Sequence, residues 1–245
     1  MVFIGVDPSG GKSPFTYAIL DEQKKLIQLG KGEIEDVVEL LKSNSETFVG
    51  INAPSGTSQG LKKNIQGDSE SSIYHTGRLE MRVAEYKLRQ MGINVSPTPS
   101  KKSTCPGWIQ LGFDLYDRIN SLGYQAYPAE NSTLQWIETH SHAAFQTLIG
   151  KQPLPKPTLE GRLQRQLVLY ENGIGIKDPM DFFEEITRHK LINGVLPTEY
   201  LFLPEELDAI VAAFLASLIS EEGQIEMMGD RSEGQIALPR ANKSS

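Results

Sequence analysis

Val2, Phe3, Ile4 and Val6 form an apolar run too brief for a helix, and it stops on Asp7 before Pro8, Ser9, Gly10 and Gly11. That pattern predicts a buried strand that delivers one carboxylate to a tight turn. The carboxyl end of a core strand is also where α/β sheets place their ligands. Apolar runs over Phe15–Leu20 and Leu26–Leu29, joined through Asp21-Glu22-Gln23, predict two more strands, antiparallel because the connections are short. Ile34, Val37, Val38, Leu40 and Leu41 then recur at helical spacing, with acidic residues in the first turn where the helix dipole favours them. Thr47–Ile51 returns as a strand and runs into Asn52-Ala53-Pro54. A helical crossover sets this fourth strand parallel to the first, which brings Asn52 beside Asp7 at one end of the sheet.

Beyond residue 54 the pattern becomes less regular. Residues 55–75 are polar, carry Lys62-Lys63 and read as a surface loop. The following helix, expected over Thr76–Met91, aligns Arg78, Arg82, Glu85 and Arg89 on one face. That face is either solvated and laced by ion pairs or aimed at phosphates. Gly92–Thr98 is extended, and the loop after it carries Lys101 and Lys102. Trp108, Leu111, Leu115, Ile119 and Leu122 stripe a helix that Gly123 ends. Tyr124–Tyr127 is expected to be the fifth strand, with Glu130 just past its end, and Asn131 leads into a helix through Leu134 and Ile137.

Pro153, Pro155 and Pro157 give a linker-like stretch too short to separate two folded halves, and Leu159–Leu169 and Asp181–Leu191 read as helices of an added layer. The strongest helical stripe is Leu207, Ile210, Val211, Phe214, Leu215, Leu218 and Ile219, opened by Pro204. Asp208 borders this stripe among Ala209, Ala212 and Ala213. It is either a favourable first-turn acid or a second carboxylate turned toward the sheet. Gly229-Asp230 and Glu233-Gly234 form a turn before a strand-like QIALP, and Ala241–Ser245 is expected to fray.

Composition narrows the chemistry. Hydrophobic residues make up 39% and charged residues 22%, which is the balance of an ordinary globular chain. No apolar run approaches the roughly 20 residues that span a bilayer, and Asp7 interrupts any signal peptide, so a cytoplasmic location is expected. Cys105 is the single cysteine, and His75, His140, His142 and His189 show no zinc spacing, so oxygen ligands are expected for any metal. The net charge of −7 argues against broad attraction to nucleic acid, although a local basic patch can override the average. Gly5–Ser13, GVDPSGGKS, imitates a phosphate-binding loop, but Val6 stands where the first glycine belongs and a strand-like FTYAIL follows in place of the helix.

The blocks IGVDPSGG, INAP, RVAEYKLRQMGI, YPA, GKQPLPKPTLEGRLQR, LDAIVAA and GDRSEGQIALP, in this order along nearly the whole chain, resemble the domain-of-unknown-function family 429 of predicted ribonuclease H-like nucleases. The chain is expected to form one domain over residues 1–239, with a helical insertion at about 140–200 and a tail at 240–245. The resemblance implies an α/β fold in which a ribonuclease H-like mixed five-stranded sheet, three antiparallel strands plus parallel strands, is flanked by helices. The implied activity is phosphodiester hydrolysis of nucleic acid with Mg²⁺ or Mn²⁺. The resemblance places Asp7 and Asp208 on two acidic positions of the family pattern; read together with the strand-end Asn52 and Glu130 they are the expected catalytic and metal-binding residues, with Arg82, Lys101, Lys102 and Gln125 expected to face the substrate. Asn52 stands where the family usually has aspartate, and Gln125 where it usually has glutamate. Both keep an oxygen but lose a charge, so one ion would be held well and a second poorly. A fold that has kept its shape but lost catalysis, and an actin-like phosphotransferase, are the alternatives from other classes.

Overall fold

The computed structural model describes residues 1–9, 13–43, 46–60, 81–221 and 223–240. The glycine turn at Gly10-Gly11-Lys12, Lys62-Lys63, His75, Arg78 and the tail at 241–245 lie outside the described residues.

Strands β1 (Val2–Pro8), β2 (Phe15–Leu20) and β3 (Leu26–Gly32) form an antiparallel meander. Helix α1 (Ile34–Lys42) crosses over to β4 (Thr47–Ile51), which pairs parallel with β1 in the register Gly5↔Gly50 and Val6↔Ile51. The expected order of the first sixty residues is therefore the observed one. After α2 (Val83–Gln90) and α3 (Gly107–Ser121), the two-residue strand β5 (Gln125–Ala126) leads to β6 (Leu134–Thr139). Helices α4 (Ser141–Ile149), α5 (Leu159–Glu171), α6 (Asp181–Glu184) and α7 (Arg188–Ile192) fill the chain before α8 (Pro204–Leu218). The hairpin β7 (Ile225–Asp230) and β8 (Gly234–Pro239) ends the described chain.

Among the described residues all strands join one mixed sheet of eight, in the order β3-β2-β1-β4-β6-β8-β7 with β5 also on β6. The expectation of five strands is corrected by this count. The segment expected as a helix through Leu134 and Ile137 is β6, a central strand flanked by β4 and β8. Its apolar residues serve opposite faces of the sheet, Leu134 and Trp136 on one and Ile137 on the other. The helix expected over Asp181–Leu191 is broken between α6 and α7, where the Thr187 hydroxyl accepts the Lys190 backbone N–H and starts a new helix. Among the described residues no helix is long and apolar enough to cross a membrane.

Each face of the sheet has its own core. Ile4, Val6, Val49 and Ile51 pack with Val37, Leu41, Leu115 and Ile119 of α1 and α3. Phe3, Ala18, Leu20 and Ile137 pack on the other face with α8, which is buried nearly throughout. This helix lies so close to the sheet that side chains are excluded at two places. A Cβ on Gly5 would come 1.9 Å from the Ala209 carbonyl oxygen, and one on Gly50 would come 2.2 Å from that of Ala212. Those contacts fix the first turns of α8 over the carboxyl ends of β1 and β4, the place where Asp208 must go.

Candidate functional site

Asp7 leaves β1 on the α8 face, since it alternates with Val6, and is 5% exposed. Asp208 descends from the second turn of α8 and is 3% exposed. Pro204 opens that helix, and the Glu206 carboxylate accepts the Leu203 backbone N–H at 2.7 Å. The two acids are joined through a short polar chain. The Asn52 amide nitrogen donates to Asp7 Oδ1 at 2.7 Å and to the Ser141 hydroxyl at 3.2 Å. Ser141 in turn favours the charged form of Asp208, and Lys156 caps the other side of Asp208 with its ammonium on Oδ2.

Burial, and after it the charge of Asp208, push the Asp7 carboxyl up to about 7. Burial raises Asp208 as well, with Lys156 acting in the opposite sense. Two buried acids sharing one ammonium leave a site short of positive charge. Two hydroxyls point to the same need. Thr16 stands directly opposite Asp7 on β2, and Thr139 follows Glu138, the register partner of Ile51, so both lie on the α8 face beside the Asp7–Asn52 pair. The Oγ1 atoms of both are buried without a hydrogen-bond partner. Orphaned buried oxygens beside two carboxylates suit a hard cation and its water, and Mg²⁺ is commonly held by one or two carboxylates with the rest of its shell supplied by water and substrate. The oxygens present are of the kind that suits an oxygen-liganded divalent ion, and Asp7 and Asp208 are the residues that would hold it. Among the described residues there is no cluster of three or more His, Cys, Asp or Glu side chains able to hold a metal.

The other expected site residues are placed differently. Asn52 is at the site, but its Oδ1 accepts the Ser141 backbone N–H at 2.8 Å, so the amide nitrogen and not the carbonyl faces Asp7. It holds a carboxylate and is not positioned as a ligand. Glu130 is exposed in the connection entering the amino end of β6, whereas Asp7 and Asn52 stand at carboxyl ends of parallel strands. Gln125 is exposed on β5, whose partners are at the amino half of β6. Lys101 and Lys102 are exposed ahead of α3, which packs on the opposite face of the sheet from α8.

Arg82, expected at the substrate, is 1% exposed and turned into the protein. Its Nε donates to Glu85 at 2.8 Å, while its two terminal nitrogens grip Glu138 at 2.9 and 2.6 Å. Burial opposes its charge, but Glu138 and Glu85 reverse this and hold the guanidinium above the ordinary arginine value. Glu138 also accepts the backbone N–H and hydroxyl of Ser55 at 2.8 and 2.7 Å, and Glu233 accepts the backbone N–H groups of Gln59 and Val83. This closed network ties residues 55–59, α2, β6 and the β7–β8 turn together, three residues downstream of Asn52.

The sequence reading missed Glu138 and Lys156. Strand-forming Trp136, Ile137 and Thr139 around Glu138 were the available signal for a second strand-end acid. For Lys156 the only signal was a lone cation among prolines.

No curated protein and no solved structure matches the chain. The family profile described as "Protein of unknown function (DUF429)" matches residues 5–233, nearly the full length, and the chain belongs to that family.

Proposed function

We propose that the protein is a divalent-metal-dependent phosphodiesterase of the ribonuclease H-like type that acts on nucleic acid. The observation that carries this reading is that Asp7, from the first strand, and Asp208, from the last long helix, are both buried and near enough for the charge of Asp208 to oppose that of Asp7, with the Lys156 ammonium on Asp208. The antiparallel β1–β2–β3 meander, the parallel β4 and the strand-end acid agree with a ribonuclease H-like arrangement, extended here by the β7–β8 hairpin. A bound Mg²⁺ or Mn²⁺ ion would activate water and offset charge on the scissile phosphate. Asp7 and Asp208 bind that ion, Asn52 orients Asp7, and Ser141 orients Asp208.

One observation favours a second reading, a binding protein without catalysis: Lys156 already neutralises Asp208. A single experiment separates the two. Mn²⁺ is titrated calorimetrically into the protein and into Asp7→Asn, and both are incubated with labelled RNA, DNA and hybrid in Mn²⁺. Saturable binding and cleavage that both vanish in Asp7→Asn support the enzyme; equal cleavage by both proteins, or no Asp7-dependent heat, overturns it.

A further inference from the structure

Lys156 sits in a strap whose backbone is clamped on both sides. Ahead of it, the Leu154 backbone N–H donates to the Gln164 side chain at 2.8 Å, and the Leu154 carbonyl accepts from Arg165 at 2.9 Å. The Pro155 carbonyl accepts the Thr158 backbone N–H and hydroxyl at 3.2 and 3.0 Å. It also lies 1.9 Å from where a Cβ on Gly161 would be, so α5 approaches the strap closely only because that position is glycine. Pro153, Pro155 and Pro157 remove backbone freedom from the same stretch. The one part of this segment left free to move at the site is the four-carbon arm of Lys156.

That arm comes in from solvent. Its side chain is 43% exposed while that of Asp208 is 4% exposed, so only the ammonium tip reaches the acid. The other charged groups facing the site are committed elsewhere. Arg165 gives the same guanidinium nitrogen to the carbonyls of Leu154 and Gly161 and stacks over Phe145, and Glu205 pairs with Lys31 at 2.6 Å. His142, at the start of α4, is pushed toward its neutral form first by its burial and then by the Arg165 charge. Lys156 is thus the movable counter-charge of the Asp7–Asp208 pair.

We propose that Lys156 is a displaceable internal counter-ion: it holds the metal-free carboxylates together, gives way when a divalent cation takes them, and then meets the substrate phosphate at the mouth of the site. This deepens the phosphodiesterase reading and rests on it. A lysine suits the task because its ammonium is a flexible point charge, strongly attracted to carboxylate and phosphate alike. The divalent ion and the ammonium compete for the carboxylate of Asp208, so removing the lysine makes the ion bind more tightly. It also removes a phosphate contact.

The full chain, Lys156→Met and Lys156→Gln are compared by calorimetric Mn²⁺ titration, by thermal melting in EDTA, and by binding of a fluorescein-labelled 12-nucleotide phosphorothioate RNA in Mn²⁺. Both variants are expected to bind Mn²⁺ about tenfold more tightly or better. They should melt lower in EDTA, regain the difference in Mn²⁺, and hold the RNA about tenfold more weakly. Mn²⁺ affinity equal to or below that of the unmodified protein overturns the counter-ion role while leaving the metal site standing. Unchanged RNA affinity overturns the phosphate contact. Absence of Mn²⁺ binding in all three proteins overturns this inference and the phosphodiesterase reading together.

Discussion

Asp7→Asn tests the electrostatics of the site through stability alone. The carboxyl titrates near its ordinary 3.8 in the unfolded chain but at about 7 in the folded one, because burial and Asp208 oppose its charge. Between these values the folded state keeps a proton that the unfolded state has lost, so stability falls as pH rises from about 4 to about 7 and is level above. At 1.36 kcal/mol for each tenfold change, the gap corresponds to about 4 kcal/mol; sharing of the effect with Asp208 brings the expected value to about 2–4 kcal/mol. Asparagine has the same shape, carries no charge and still accepts the Asn52 amide through Oδ1. The variant should therefore be the more stable protein at pH 8 in EDTA, with a melting temperature roughly 5–10 °C higher for a chain of this size. The advantage should shrink toward zero at pH 4 and be offset in the unmodified protein by Mn²⁺. Melting curves by circular dichroism across pH 4–8 measure it. A variant that melts at or below the unmodified protein at pH 8, with a difference independent of pH, refutes the reasoning.

Arg82→Met leaves Glu85 and Glu138 buried without their cation and should destabilise by about 3–5 kcal/mol in urea unfolding, while Lys101→Ala, on the exposed loop, should change stability by less than about 0.5 kcal/mol. Gly5→Ala places a methyl group 1.9 Å from the Ala209 carbonyl oxygen. Because backbone and not a side-chain tip is in the way, a loss of about 3 kcal/mol is expected, together with weaker Mn²⁺ binding as α8 and Asp208 are displaced. His140 caps α4 by accepting the Ala143 backbone N–H on Nδ1, and burial followed by His142 lowers it to about 4. From pH 4 to 6.5 the unfolded chain takes up a proton that the folded one refuses. Stability from this group therefore rises with pH by about 3 kcal/mol, opposite in sign to Asp7. Thermal melts of His140→Asn, which keeps a cap acceptor, should lose that rise.

What the sequence revealed and what it hid divide along sequence separation. The β1–β2–β3–α1–β4 order was legible because each element carries a clean apolar period and short connections leave few ways to join them. The same reasoning set Asn52 beside Asp7, and the α8 stripe with its small residues brought Asp208 to the sheet. Arg82 and Glu85, by contrast, have the three-residue spacing of a solvated ion pair. Partners far along the chain, Glu138 at 56 positions from Arg82 and Glu233 at 151, make them a buried network. Leu134 and Ile137 are also three apart, which imitates a helix turn. The strand emerges from β4 and β8 on either side, information no local window holds. Glu130 follows a strand that is only two residues long, so its position past a strand end does not bring it to the carboxyl edge where Asp7 stands. β7 was hidden because Glu226, Met227 and Met228 are weak strand formers held by pairing with β8.

The central claim is that Asp7 and Asp208 together bind one divalent cation, and a crystal soaked in Mn²⁺ tests it most directly through anomalous scattering. The account predicts a single peak within about 2.0–2.4 Å of an oxygen from each carboxylate, with the Lys156 ammonium moved off Asp208. No peak at saturating Mn²⁺, with Lys156 still seated on Asp208, would contradict it.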